Sequence, residues 1–392
     1  MPSPSAAPNV LPEEVTMPTH VRSYSKINLG LAIGPPRSDG FHSLVTLYQT
    51  LALYDQIALV ARPAAVTRIT LRSNDPRVPL DARNTVWKMV AKALSVLNRT
   101  AEVTVHIQKN LPIQGGMGAG SANAAAALIG LEKALCLSIP PETRLEIAAQ
   151  VGSDVPLFLV GGASFGSNRG EAVTPAPVIT FEGQSEIPCV IALPNVGVST
   201  PQAFRDWDAR FKSAPDLHNP PIRDTMNELS RTYASVFGYQ GEMESNQSGA
   251  SGIFPEPSLS VASGSPEKLQ GTPDEQLHRS PETTDRSGIK IDLAENSLLA
   301  LVRTGIENDF ETVVFPQYPS LREIKRHLMG PSEQENSAII AALSGSGSAL
   351  FGLYRSKSHA EAAQQRLQQH GVKALVTTTL PRPLYWSDMF AE

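Results

Sequence analysis

The sequence has few of the residues that would mark a metal, redox or polymer-binding protein. Its two cysteines, Cys136 and Cys189, stand far apart without CxxC or CxxH context, so we expect reduced packing residues. The eight histidines show no HxxxH or HExxH spacing, and no zinc site is predicted. Acidic residues outnumber basic ones, 38 to 33, and give a formal net charge of -5. No nucleic-acid partner is therefore predicted, and any recognition of phosphate must be local.

Long apolar runs and targeting signals are missing as well. No run of eighteen apolar residues occurs, so no membrane span is predicted. Residues 1–20 lack a basic start, an apolar core and arginine enrichment, while Glu13 and Glu14 argue against a transit peptide. With 392 residues, of which 41% are hydrophobic, the chain can hold two globular domains. We expect a cytoplasmic protein that is a monomer or a weak homodimer.

Hydrophobic periodicity predicts strands and helices in a mixed order. Short apolar runs between residues 26 and 60 are separated by the turn-rich GPPRSDG, which indicates hairpins. Further strands are predicted at 103–107, 158–166, 189–195 and 372–380, and residues 343–354 are predicted to be a glycine turn that leads into a strand. Helical spacing occurs at 84–98, 121–136, 142–151, 291–310, 320–329 and 358–370. This mixture is an α+β pattern and not a regular β-α-β alternation.

Two segments have the composition of disordered chain. The first eighteen residues carry five prolines without periodicity, so residues 1–20 are predicted to be a disordered tail. Residues 240–288 are rich in Ser, Pro, Gly, Glu and Gln and contain one aromatic residue, Phe254. Such a segment buries too little apolar surface to offset its chain entropy, and we expect a disordered insertion there.

A glycine-rich stretch, LPIQGGMGAGSANAAAA at 111–127, joins a predicted strand to a predicted helix. A helix begins with backbone N–H groups that lack partners, and its dipole places partial positive charge there. Glycines at that point let several N–H groups approach one anion, while Ser121 is available as an N-cap. The stretch therefore predicts a phosphate-binding loop, and a flexible turn is the alternative.

The two commonest phosphate-loop motifs do not match this stretch. A Walker A loop needs GxxxxGK[ST]; Gly115 and Gly120 have the spacing, but Ser121 occupies the lysine position. A dinucleotide fingerprint needs GxGxxG in a β-α-β unit, whereas Gly116, Gly118 and Gly120 give GxGxG. The loop therefore lacks a cation of its own.

Four motifs carry a resemblance to a known family. They are the glycine loop, SYSKINLGLAIGPPRSDGFHSL (23–44), EIAAQVGSDVPLFLVGG (146–162) and LSGSGSALF (343–351). Together they resemble the GHMP small-molecule kinases, over most of residues 21–210 and 291–385. Within that superfamily the chain is most similar to the branch that phosphorylates the 2-hydroxyl of 4-diphosphocytidyl-2-C-methyl-D-erythritol, in the non-mevalonate isoprenoid pathway.

The resemblance implies a two-domain α+β fold with the active site in the cleft between the domains. Residues 21–183 would form an ATP-binding domain with a left-handed β-α-β-like phosphate-loop unit. Residues 184–392 would form a ferredoxin-like α/β sandwich that carries the insertion.

It also implies which residues bind ATP. The loop that would wrap the phosphates consists of Gln114, Gly115, Gly116, Met117, Gly118, Ala119, Gly120 and Ser121. Asn84 and Lys109 match positions that line the nucleotide side. Mg²⁺ should accompany ATP, although no protein ligand can be named beyond a guess at Ser121. Ala119 departs from the pattern, since relatives more often carry glycine there, and a positive φ at this position would strain it.

Further roles follow for the reaction and for the small-molecule substrate. Asp154, in GSDVP, resembles the base that accepts the proton of the attacking hydroxyl, and Lys26, in SKIN, resembles the lysine beside it. The DGFH run, with Phe41 and His42, resembles the element that contacts cytosine. Phe204 aligns with an aromatic that stacks on that base. Asn28 and Thr200 are secondary candidates for contacts with the substrate.

Three other interpretations remain open at this stage. SxxK at Ser23–Lys26, SxN at Ser121–Asn123 and RTG at 303–305 approximate the motifs of penicillin-recognising acyl enzymes. Their contexts disagree, because SxxK precedes INLGLAIGPP, which cannot be helical. A GHMP kinase acting on mevalonate, phosphomevalonate or homoserine is the second interpretation, against which DGFH argues. A non-catalytic module is the third, and it would have no need of both Lys26 and Asp154.

Overall fold

The computed structural model describes residues 17–113, 115–212, 229–231, 233–234, 236, 282–284, 290–331 and 336–391. The predicted tail up to residue 16, most of the predicted insertion at 240–288, and Gln114 lie outside these residues. Within the described ranges, no helix combines the length and the apolar character that crossing a membrane requires.

The first sheet is built around two long antiparallel strands. Its members are β1 (Thr19–Pro36), β2 (His42–Pro63), β3 (Arg68–Ser73), β4 (Ala101–Gln108), β5 (Ala163–Ser167), β6 (Ala172–Pro175) and β13 (Phe390–Ala391). The strand order is β13-β1-β2-β4-β3, and β5 pairs with both β2 and β6. The GPPRSDG turn joins β1 to β2, which confirms the predicted hairpin, and the register pairs Lys26 with Thr50.

Four helices belong to the same half of the chain. They are α1 (Thr85–Val96), α2 (Ala119–Ala134), α3 (Pro141–Val151) and α4 (Leu157–Val160). Helix α1 connects β3 to its parallel neighbour β4, and the Asn84 side chain caps it by accepting a hydrogen bond from the Val86 N–H at 2.9 Å. The predicted helices at 84–98 and 142–151 are confirmed.

Two stretches differ from their predictions: the helix predicted at 291–310 ends at Arg303, and one predicted strand is interrupted. Residues 158–166 were expected to form a strand, but α4 ends at Val160 and β5 begins only at Ala163. Gly161 and Gly162 between them have φ values of 69° and 66°, in the left-handed region that glycine adopts at little cost. The sequence pattern could not reveal this break, because apolar residues flank the two glycines on both sides.

The second layer is a four-stranded antiparallel sheet covered by helices. Its strands are β7 (Pro188–Leu193), β10 (Ile340–Leu343), β11 (Leu350–Leu353) and β12 (Lys373–Thr378), in the order β10-β11-β7-β12. Described helices of this half are α5 (Thr200–Lys212), α6 (Leu293–Arg303), α7 (Glu311–Gln317), α8 (Pro319–Met329) and α9 (Lys357–Gln369). A short ribbon pairs β8 (Glu282–Thr284) with β9 (Lys290–Asp292). The strand order is that of a ferredoxin-like sandwich, as the resemblance implied.

The two sheets share a core. Ile27 and Leu47 of the first sheet belong to the same buried cluster as Ile191 and Phe351 of the second. Cys189, on β7, is fully buried, and burial raises the pKa of its thiol well above the usual range. Cys136 is exposed instead, so the prediction that both cysteines are packing residues is wrong for that position.

The end of the chain returns to the first sheet. After β12, a short helix α10 (Arg382–Ser387) leads into β13, whose Phe390 pairs with Val21 of β1. The Tyr385 ring packs 5.3 Å from that of Tyr24, and its hydroxyl donates to the Phe158 carbonyl at 2.6 Å. Residues 382–391 thus belong to the first layer, although the sequence suggested no element beyond residue 380.

We predict that Tyr385→Ala lowers the free energy of unfolding by about 3–5 kcal/mol, because it empties a fully buried site and leaves a buried carbonyl without its donor. Urea denaturation measures the change. Ser387→Ala is the control: its exposed hydroxyl donates to the Leu384 carbonyl of the same helix, and its removal should cost no more than about 0.5 kcal/mol. Equal losses in the two variants would contradict the proposed anchoring of the chain end by Tyr385.

Candidate active site

The glycine loop leads from β4 into α2 through two left-handed residues. Gly116 has a φ of 73°, and Gly118, the N-cap of α2, has a φ of 70°. No side chain caps this helix, so its first N–H groups remain available to a ligand. Ser121 lies inside α2, and its prediction as an N-cap is wrong. Ala119 is the first residue of the helix and does not have a positive φ, so the backbone strain expected there does not arise.

A second glycine loop, between β10 and β11, packs directly against the first. The Ser344 hydroxyl donates to the Gly116 carbonyl at 3.0 Å, and the Ala349 N–H donates to the Gly115 carbonyl at 3.3 Å. A Cβ on Gly116 would lie 2.0 Å from the Ser344 carbonyl oxygen. The two loops therefore meet backbone to backbone, which only glycine permits at this point.

Lys26 enters the site from β1 and is tied to the loop. Its backbone N–H donates to the Met117 carbonyl at 3.1 Å, and its side chain is 3% exposed. The ammonium group donates to Asn28 Oδ1 at 2.7 Å and lies 3.4 Å from Asp154 Oδ2. A buried ammonium needs such acceptors, because desolvation without them would be costly. The loop that lacks its own cation thus receives one from β1.

Asp154 lies in the turn between α3 and α4 and is the more accessible member of this pair. Its side chain is 36% exposed, and its second oxygen lies 3.3 Å from the Tyr48 hydroxyl. Burial, together with the charge of Asp154, raises the pKa of Tyr48 well above its usual value. The phenol therefore stays protonated and acts toward Asp154 only as a donor.

A cavity of about 620 Å³ opens from this group of residues. His42 and Phe204 line its far part, with their rings stacked at 4.8 Å and an interplanar angle of 16°. Phe41 is 51% exposed at the mouth, and the Arg169 guanidinium lies 4.8 Å from the centre of its ring. Thr200 contributes a hydroxyl that is 2.6 Å from that of Ser346. The cavity thus holds the Lys26–Asp154 pair together with a group of aromatic side chains.

A second cavity, of about 360 Å³, lies against the glycine loop. The predicted nucleotide residues among its lining are Asn84, Lys109, Gly115, Gly116, Met117, Gly118, Ala119, Gly120 and Ser121. Gly116 and Gly118 also line the larger cavity. Two molecules, one in each cavity, would therefore approach each other across these glycines.

Two of the predicted nucleotide residues are also engaged within the protein. The Lys109 ammonium contacts the fully buried carboxylate of Asp55, which also accepts the backbone N–H groups of Asn110 and Leu111 at 2.8 Å. Asn84 caps α1 and donates to the Pro79 carbonyl at 2.7 Å. These contacts fix the strand end and the helix start that border the smaller cavity.

Comparison with known proteins places this geometry in a family. Residues 84–162 match the model "GHMP kinases N terminal domain", and residues 291–373 match "GHMP kinases C terminal". A 4-diphosphocytidyl-2-C-methyl-D-erythritol kinase of Solibacter usitatus is 30% identical over 88% of this chain and 83% of its own length. The chain belongs to the GHMP kinases. A protein of the same name from Rhodococcus jostii is 41% identical over 50% of this chain, and the match spans 60% of the Rhodococcus protein.

Solved structures confirm the GHMP kinase fold without separating substrates. A 4-(cytidine 5'-diphospho)-2C-methyl-D-erythritol kinase is 22% identical and superposes with a TM-score of 0.56, over 92% of this chain and 98% of that one. A homoserine kinase from Cytophaga hutchinsonii is 15% identical, with a TM-score of 0.61 over 95% and 98%. The choice among substrates therefore depends on side chains in the cleft.

Most of the residues singled out in the sequence lie together in this GHMP kinase. Those lining the larger cavity are Lys26, Asn28, Phe41, His42, Asp154, Thr200 and Phe204. The nucleotide residues line the smaller one, except Gln114, which lies outside the described residues. Their roles in binding and catalysis stay predictions.

Six polar residues that the sequence did not single out also line the larger cavity. They are Tyr48, Ser153, Arg169, Arg205, Asp208 and Ser346. Asp208 follows Phe204 by four residues on α5, a spacing that places two side chains on one face of a helix. That signal was present, whereas nothing in the local sequence links Tyr48 to Asp154.

We predict that Gly116→Ala lowers the free energy of unfolding by about 2–5 kcal/mol, because it adds a clash with the Ser344 backbone to a strained φ. Gly183→Ala is the matched control, since Gly183 has a φ of 74° with nothing within 4 Å of its Cβ position. It should cost about 1–2 kcal/mol, from backbone strain alone. Urea denaturation of both variants separates the two effects, and equal losses would contradict the close packing of the loops.

Proposed function

We propose that this GHMP kinase transfers the γ-phosphoryl group of ATP to the 2-hydroxyl of 4-diphosphocytidyl-2-C-methyl-D-erythritol, a step of the non-mevalonate pathway to isoprenoids. One observation carries the proposal. The cavity that holds the Lys26–Asp154 pair is also lined by the stacked rings of His42 and Phe204, and it meets the glycine loop at Gly116 and Gly118. A substrate with a reactive hydroxyl at one end and a flat base at the other matches this layout. The names of the Solibacter and Rhodococcus relatives agree with it.

The ATP phosphates would be held at the glycine loop. The uncapped start of α2 offers backbone N–H groups, and the helix dipole adds partial positive charge. A Cβ on Gly118 would lie 2.9 Å from Phe158 and 3.2 Å from Lys26 Cε, so a larger residue would fill this approach. The adenosine would then occupy the smaller cavity beside α1.

Magnesium would accompany the nucleotide and neutralise phosphate charge when bound. Among the described residues, no group of three or more His, Cys, Asp and Glu side chains could hold a metal ion unaided. In nucleotide sites, Mg²⁺ is usually bound mainly by the phosphates and by only one or two protein oxygens, and such a site needs no cluster of protein ligands. Ser121, which lines the smaller cavity, is the hydroxyl that we propose for this contact.

Asp154 and Lys26 would act directly on the transfer. Asp154 accepts the proton of the substrate hydroxyl while that oxygen forms a bond to the γ-phosphorus and the bond to the ADP oxygen breaks. Lys26, 3.4 Å from Asp154, stabilises the negative charge that develops on the transferred group and the attacking oxygen. Tyr48 donates to the second oxygen of Asp154 and orients the first toward the cavity.

We predict that Asp154→Asn lowers kcat by about 10²–10⁴-fold, since an amide cannot accept the proton. The Kd for ATP should change less than threefold, because Asp154 lines the other cavity. Single-turnover kinetics and calorimetry measure the two quantities. Asp388→Asn, a substitution at the distant chain end, is the control and should leave both unchanged. Retained turnover in Asp154→Asn would exclude Asp154 as the base.

The substrate itself is tested with a coupled assay for ADP. We expect turnover with 4-diphosphocytidyl-2-C-methyl-D-erythritol and, at equal concentration, less than about a hundredth of that rate with mevalonate or homoserine, which lack the base. The reverse preference would assign this chain to another branch of the GHMP kinases. Mass spectrometry of the product identifies the phosphorylated hydroxyl.

A further inference from the structure

The imidazole of His42 is held by two side chains of one helix. His42 begins β2, is nearly buried and lines the larger cavity. Its Nε2 lies 2.8 Å from Asp208 Oδ1, and its ring stacks on that of Phe204. Phe204 and Asp208 are four residues apart on α5 and so lie on one face of it.

The helix that supplies these two side chains is itself fixed. At its start, the Thr200 hydroxyl lies 2.6 Å from that of Ser346 in the second glycine loop. Along its length, the ring of Phe204 packs edge to face against that of Phe310, with the ring centres 5.0 Å apart. These contacts hold α5, and with it Asp208, beside His42.

A carboxylate determines where the imidazole carries its proton. An ionised Asp208 can only accept, so Nε2 of His42 must be the protonated nitrogen. In the neutral ring the other nitrogen, Nδ1, is then an acceptor. Within the part of the chain that the structure describes, no residue is hydrogen-bonded to Nδ1, and the ring borders the cavity. A ligand that reaches Nδ1 would thus meet an acceptor.

We propose that Asp208 is a positioning residue that fixes this tautomer of His42, so that Nδ1 accepts a hydrogen bond from the exocyclic amino group of a bound pyrimidine. The inference rests on the proposed function and deepens it. Cytosine carries an amino group at the position where uracil carries a carbonyl oxygen. An acceptor at Nδ1 can take a hydrogen bond from the amino group of cytosine. Against uracil, the lone pair of Nδ1 would face a lone pair of the carbonyl oxygen and repel it. The residue pair therefore selects cytidine over uridine diphosphate compounds.

Asp206 provides a matched comparison on the same helix. It is two residues from Asp208 and also accepts side-chain hydrogen bonds, from Gln202 and Gln317, but it does not line the cavity. If the His42–Asp208 contact only tied α5 to the rest of the protein, removing either aspartate would have similar effects on ligand binding. The proposal predicts different effects.

The test measures calorimetric binding of cytidine diphosphate and of uridine diphosphate to the full chain, with a non-hydrolysable ATP analogue saturating the nucleotide site. We expect the wild-type protein to prefer cytidine diphosphate by at least about tenfold, the ratio that one ordinary hydrogen bond supplies. Asp208→Ala should lower that preference about tenfold, and Asp206→Ala should leave it unchanged. Asp208→Asn should retain most of it, because the amide oxygen can still accept from Nε2.

A second readout observes the tautomer directly. Side-chain ¹⁵N signals of His42 should show protonation at Nε2 in the wild-type and Asp208→Asn proteins, and a mixture of tautomers in Asp208→Ala. Protonation at Nδ1 in the wild type, or an unchanged base preference in a folded Asp208→Ala protein, would overturn the proposal. The experiment tells failure of this proposal apart from failure of the proposed function. If only the proposed function is wrong, turnover with the methylerythritol substrate is absent, while the base preference and the tautomer of His42 are as expected.

Discussion

The contact between two glycine loops organises this protein. Gly116 approaches the Ser344 backbone so closely that a single added carbon would not fit, and the contact joins the first sheet's half of the chain to the second. Because the loops touch through their backbones, the start of α2 keeps its N–H groups free on one side. The larger cavity opens on the other side. The two cavities therefore border each other at this contact, where Gly116 and Gly118 line both of them.

The buried charge beside the loop is the second constraint. An ammonium group as enclosed as that of Lys26 is unfavourable without partners, and the fold supplies Asn28, Asp154 and the face of the Tyr48 ring, 5.6 Å away. In such a site, electrostatic interactions are stronger than in water. The contacts that stabilise the buried ammonium group also hold it in a fixed position. From there it could stabilise the negative charge of a phosphoryl group in transfer.

Local patterns in the sequence predicted much of this, because a strand period, a glycine run and a missing Walker lysine are all short-range features. These patterns predicted helices α1 and α3, strands β4 and β7, and a phosphate loop without a lysine of its own. The parts that were missed depend on contacts between distant positions. Ser344 meets Gly116 across 228 residues, and Tyr385 meets Phe158 across 227. No periodicity encodes such pairs, and the left-handed break at Gly161 was hidden for a related reason: both flanks are apolar.

Catalysis and recognition come from different parts of the fold. Lys26, Asp154 and the loop lie where the two cavities meet, whereas His42, Phe204 and Asp208 come from the start of β2 and from α5. A substitution in the second group can change which base is accepted without moving the first. The homoserine kinase with a similar fold is consistent with this division, since the shared architecture alone does not choose a substrate. Our proposal is that in this chain the choice depends on which nitrogen of the His42 imidazole carries a proton, and that the Asp208 carboxylate decides this without touching the substrate.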